Sequence, residues 1–188
     1  MELRRIPCFD QGEGIFMRLA AILAALALAL PACASAQAQQ QLPTCDAAEH
    51  RALDFWVGEW DAVRADTMAP AGRSSIRVED RGCVITEHWT SLNAPFSGRS
   101  LNLYNRASGQ WEQFWADSTG ARIYFVGGPI PDGLQMTADS GADGAQRYSR
   151  VTLIAREDGT VLQRGEASAD GATWALTYAF IYRRRAGD

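Results

Sequence analysis

The sequence predicts an all-β fold: one antiparallel barrel of about ten strands, preceded by a short N-terminal helix. Three observations lead there. Turn-forming clusters ("NRASGQ", "DSTG", "PIPDG", "SGADGA", "EDGT", "ADGA") supply Gly, Asp or Asn where positive φ is required. They recur about every eight to twelve residues, and polar and apolar positions alternate between them. Beyond residue 53 no helical period competes, and aromatic residues run from Phe55 to Tyr182 without a linker, as in a single domain.

The elements follow in order. Residues 1–16, "MELRRIPCFDQGEGIF", carry three acids and read as a mis-annotated start, with Met17 as the true first residue. Residues 17–36 have an arginine, a long apolar run and an Ala34-Ser35-Ala36 end, which is the form of a secretory signal peptide. The apolar run is too short for a comfortable membrane span, so no span is expected. "LPAC", ending at Cys33, offers outer-membrane lipidation as a minor alternative to a periplasmic or secreted protein. Residues 37–44 are a polar, flexible leader, and the barrel domain is 45–188.

Within the domain, "CDAAEHRAL" (45–53) predicts the helix, with Asp46 as N-cap and Glu49 completing a capping box. Cys45 and Cys83 remain after export. In an oxidising compartment they are natural disulfide partners, against the alternative of two buried thiols. Strands are expected at 55–65, 74–80, 83–91, 98–105, 110–117, 121–127, 133–138, 147–156, 160–168 and 173–183.

Hairpin arithmetic assigns faces. If Asn105 pairs with Gln110 and Ala116 with Ala121, then Ser100, Asn102, Tyr104, Trp111, Gln113, Trp115, Arg122 and Tyr124 share one face. Leu101, Leu103, Phe114, Ala116, Ile123 and Phe125 share the other. If Asp158-Gly159 and Asp170-Gly171 are tight turns, Arg150, Thr152, Ile154, Gln163, Trp174, Leu176, Tyr178 and Phe180 align. An aromatic face with sparse polar groups describes a cavity wall, so it is placed inside the barrel. The competing reading makes the aliphatic face the core.

That face supplies a candidate ligand set. Arg150, Gln163, Tyr178, Gln113 and Tyr104 are the polar contacts, and Trp89, Trp111, Trp115 and Trp174 stack on an apolar or aromatic body. An interior arginine favours an acidic head. Glu87 alternates with Ile85 and Trp89 and so points inward with them. Buried, it is a weak catalytic candidate as a general acid or base, together with Asp117. The favoured structural reading pairs Glu87 with Arg150 or Arg122, since buried charges are normally paired.

Other chemistry is thinly supported. All 18 basic residues are arginine, the net charge is −4 and no basic stripe exists, which argues against nucleic acid. No metal-ligand spacing, phosphate loop or nucleophile elbow appears. Haem would need a proximal histidine, and His88, an ordinary strand position, is its one serious candidate, so no cofactor is expected.

Gly58-Glu59-Trp60 has the G-x-W form of the first strand of lipocalin-like barrels. "DFWVGEWD" (54–61), "GCVITEHW" (82–89), "GRSLNLYN" (98–105), "WEQFWAD" (111–117) and "SADGATW" (168–174) extend the likeness. The chain resembles a family of uncharacterised secreted bacterial proteins that carry a domain of unknown function on a lipocalin-like, calycin-type barrel. The resemblance implies the fold and export, and supplies no activity. It also implies that Trp60 closes the barrel bottom beneath an arginine of the last strand, Arg183 or Arg184, with Gly58 allowing close approach. It keeps Glu87 and Trp89 but does not require His88.

The expected function is binding of a small amphipathic, acidic or aromatic ligand inside the barrel. An enzyme using the same cavity is one alternative. A structural or interaction protein with a filled barrel is another, in which the aliphatic outer face could build a homodimer.

Overall fold

A computed structural model describes residues 44–139 and 147–186. The readings made for residues 1–16, the signal at 17–36, Cys33 and the leader up to residue 43 lie outside the described residues.

Among the described residues ten strands form: β1 (Gly58–Arg64), β2 (Pro70–Glu79), β3 (Val84–Ser91), β4 (Ser97–Asn105), β5 (Gln110–Asp117), β6 (Arg122–Ile130), β7 (Gly133–Asp139), β8 (Tyr148–Ala155), β9 (Val161–Ser168) and β10 (Ala175–Arg184). Each is antiparallel to the next, and β10 returns to β1, so the sheet closes as an up-and-down barrel with no free edge.

Register decides which residues line the lumen. Asn105 pairs with Gln110 as expected. Ala116, however, pairs with Arg122 and not Ala121. The loop between them closes with the Asp117 N–H on the Ala121 carbonyl (3.1 Å), and Gly120 at φ 83° supplies a bulge. That extra residue reverses β6: Ile123 and Phe125 turn in, and Arg122 and Tyr124 turn out. The Asp158-Gly159 turn is lengthened in the same way, with Gly159 at φ 77°. Leu153, not Ile154, then faces Gln163, and Arg150, Thr152 and Ile154 leave the interior. In the last hairpin a one-residue slip and a bulge at Thr177 cancel, so Gln163, Tyr178 and Phe180 stay together as expected. Leu176, before the bulge, is turned out.

The N-terminal segment forms two 3₁₀ turns, Ala48–Arg51 and Asp54–Trp56, where one helix was expected. No capping box forms: Asp46 accepts from the Thr44 hydroxyl (2.7 Å), and the N-cap position is Ala47, without a side-chain bond. The segment is too short to offset helix nucleation and is tied down at both ends. At one end is the Cys45–Cys83 disulfide, which forms as expected, with a Cα–Cα distance of 4.9 Å. At the other, Leu53 and Trp56 are fully buried across the barrel bottom.

Trp60 completes this plug, donating its indole N–H to the Trp56 carbonyl (2.8 Å). The Arg184 guanidinium sits 4.4 Å from the Trp60 ring centroid and donates to the Val57 carbonyl (3.0 Å). Gly58 has φ 139°, and a Cβ there would fall 2.3 Å from the same guanidinium. The dihedral is what calls for glycine here; the arginine tip is mobile enough to move aside. Arg184 takes the place over Trp60 and Arg183 does not: Arg183 lies opposite Asp61 and is exposed.

Candidate functional site

The end away from the plug opens into a cavity of about 430 Å³. Small residues under large rings create it. Trp89 lies against Gly72, Trp115 against Gly98 and Tyr178 against Gly165, and a Cβ at any of these glycines would fall 2.0–2.4 Å from the ring. The rings therefore lie flat on the barrel wall and leave the lumen empty. Phe180 joins two of them, stacking on Trp89 and on Tyr178 at 5.2 Å each. Ile123, Phe125 and Val151 complete the apolar lining.

Glu87 faces this cavity from β3 and is 4% exposed. The Ser74 hydroxyl donates to one of its carboxyl oxygens (2.8 Å) and Ser100 to the other (3.3 Å). Burial outweighs the two serine hydroxyls and the nearby Tyr182 hydroxyl, and pushes the Glu87 carboxyl up to about 7. The expected arginine partner does not arrive. Arg150 is outside the barrel, bonded to Glu166 (2.9 Å) and stacked 4.1 Å over Trp174. Arg122 lies exposed on the outer face. Both leave through the two register slips, and a buried carboxyl with only hydroxyl partners remains.

A polar ladder flanks Glu87. Asn102 donates to the Ile85 carbonyl and to Ser100 (2.9 Å each), and Gln113 donates to Asn102 (2.7 Å). Tyr182 donates its hydroxyl to the Gln163 side-chain carbonyl. At the mouth are Ser91, Asn93, Phe96 and Arg64, whose guanidinium is held by Asp66 at 2.8 Å.

Of the sequence-predicted ligand residues, Trp89, Gln113, Trp115, Gln163 and Tyr178 line the cavity. Tyr104 and Trp111 share their face but sit below it, against the plug. Tyr104 meets His50 edge-on at 5.0 Å, and the Trp111 indole N–H bonds the Glu49 carbonyl (3.0 Å). Arg150 and Trp174 are outside the lumen. Asp117 sits at the end of β5, where Thr119 and the Trp115 indole (3.3 Å) hold its carboxyl below the usual range. It does not line the cavity with Glu87. His88 is exposed on the outer face, opposite Ser75 and Arg99.

Sequence reasoning missed Ser74 and Phe96 as site residues; it set Phe180 on the cavity face but outside the ligand set, and passed over Tyr182. The alternation Tyr178, Phe180, Tyr182 in "YAFIY" carried a signal for the last two. Among the described residues no helix is long and apolar enough to cross a membrane. Also among them, no cluster of three or more His, Cys, Asp or Glu side chains has the arrangement of a metal site.

No curated protein matches the chain significantly. A family profile does, over residues 46–184, from the first plug residues to the arginine over Trp60. By that match, which spans the whole barrel, the chain belongs to a protein family of unknown function, DUF1579.

Proposed function

We propose that this is an exported, lipocalin-like binding protein that holds one small, largely apolar or aromatic molecule in its barrel. The observation that carries the reading is the cavity. At about 430 Å³ it falls within the usual range of ligand pockets, and it joins aromatic walls to a few convergent polar groups. Export is supported by the Cys45–Cys83 disulfide, which suits an oxidising compartment, and by the signal-like segment 17–36. An acidic head group loses its main support, because the arginine that would match it lies outside the lumen.

The test is calorimetric titration with naphthylmethanol, a neutral aromatic ligand, on the disulfide-bonded protein. Saturable one-to-one binding is expected. Ile123→Trp, which fills the lumen, abolishes it while circular dichroism stays native. Binding that is absent, or indifferent to Ile123→Trp, overturns the proposal.

A second reading, acid–base catalysis in the same cavity, is favoured by one observation: the Glu87 carboxyl, placed near neutral pH by burial. It predicts turnover of a bound ligand that Glu87→Gln removes. A ligand that is held unchanged, by the native protein as by Glu87→Gln, supports simple binding.

A further inference from the structure

We propose that the ligand carries a protonated amine and that Glu87 receives it at the floor of the cavity. The inference rests on the binding reading above and names its ligand class.

The first support is charge. Among the described residues, Glu87 is the one carboxyl that lines the cavity, and no cation meets it. Among the described residues, the groups that interact with it are neutral: Ser74 from β2, Ser100 from β4, and Tyr178 and Tyr182 from β10. The one basic residue among the described lining residues, Arg64, is at the mouth and is already held by Asp66. An ionised carboxylate left this way loses hydration without a charge partner, and an entering cation offsets that loss.

The second support is the wall. Trp89 is two residues from Glu87 on the same face of β3, and its ring begins the stack that continues through Phe180 to Tyr178. Aromatic faces beside a carboxylate favour a cation over an anion, since the ring quadrupole presents its negative face. The same two features work against a carboxylate ligand.

The binding step is proton exchange. Below neutrality Glu87 holds a proton, which leaves to solvent as the ammonium group enters. Amine affinity therefore rises with pH until Glu87 is ionised, near 7. Tyr178 and Tyr182, the other titratable groups near Glu87, are raised by burial and by the Glu87 charge, and stay neutral across this range.

The test compares naphthylmethylamine, naphthylmethanol and naphthoate, three ligands with one aromatic body, by calorimetry from about pH 5 to pH 8. At pH 8 the amine is expected to bind about tenfold tighter than the alcohol, and naphthoate weakest of the three. The amine's advantage disappears toward pH 5, while the alcohol's affinity stays level. Glu87→Gln removes the advantage, read as the ratio of amine to alcohol affinity within that variant. Because the pH series is read on the unaltered protein, the test holds even if that variant folds poorly. Alcohol and amine binding equally at pH 8, or an advantage that survives Glu87→Gln, overturns the amine assignment and leaves the binding reading standing. If no naphthyl compound binds, the binding reading fails and the assignment falls with it.

Discussion

Replacing Glu87 with glutamine should stabilise the protein above neutral pH and change little in acid. The native carboxyl is 4% exposed, receives two serine hydroxyls and faces no cation. Burial raises it from 4.5 to about 7, so the folded chain binds this proton more tightly than the unfolded chain. Stability is therefore lost as pH rises between those two values and levels off above the higher one. At about 1.4 kcal/mol per pH unit, the loss amounts to roughly 3 kcal/mol. Glutamine keeps the shape and one acceptor without the charge. Urea unfolding followed by tryptophan fluorescence, at about pH 4, 6 and 8, measures the effect. Glu87→Gln should match the native protein near pH 4 and exceed it by up to about 3 kcal/mol at pH 8. Any constant offset from exchanging acid for amide cancels in the pH dependence. A difference between the two proteins that is flat with pH, or that favours the native protein as pH rises, would refute the burial argument.

The remaining predictions concern the plug and the wall. Gly58→Ala should cost about 1–3 kcal/mol in urea unfolding, through the strained dihedral. Arg184→Ala should cost about 1 kcal/mol by the same measurement, and exposed Arg183→Ala less than about 0.5 kcal/mol. Cys83→Ser should lower stability by up to about 4 kcal/mol, the chain-entropy value for this loop, and dithiothreitol should reproduce the loss in the native protein. In calorimetry, Trp89→Ala should weaken naphthylmethanol binding about tenfold or more, whereas Arg150→Ala, altered on the outer face, should change it less than about twofold.

What the sequence could disclose follows from how each feature is encoded. The ten strands and the disulfide were legible, because turn residues and a lone cysteine pair are local signals. The interior faces of β4, β5 and of β10 beyond its bulge were also legible, since their registers preserve the parity that alternation implies; Leu176, before the bulge, was not. The faces of β6 and β8 were not. "DSTG" and "EDGT" fit either a two-residue turn or a longer loop with a bulged glycine, and one residue exchanges inside for outside. Glu87 illustrates the consequence. Its inward direction could be read from Ile85 and Trp89, but its lack of a cation depended on both ambiguous hairpins. Tyr104 and Trp111 show a different limit. Period two gives the face of a residue and not its depth, and the plug that covers these two rings has no periodic signature.

On the binding proposal, the ligand enters the lumen and leaves the outer faces of the barrel untouched. The six tryptophans make this directly measurable. Trp89 and Trp115 line the cavity; Trp56, Trp60 and Trp111 are sealed at the plug; Trp174 packs under Arg150 outside the lumen. Indole N–H resonances followed by nitrogen–proton correlation spectroscopy during a naphthylmethanol titration should show saturable shifts at Trp89 and Trp115, with the other four still. Shifts led by Trp174 or by the plug tryptophans, or no saturable shift at Trp89 and Trp115, would contradict a binding cavity inside this barrel.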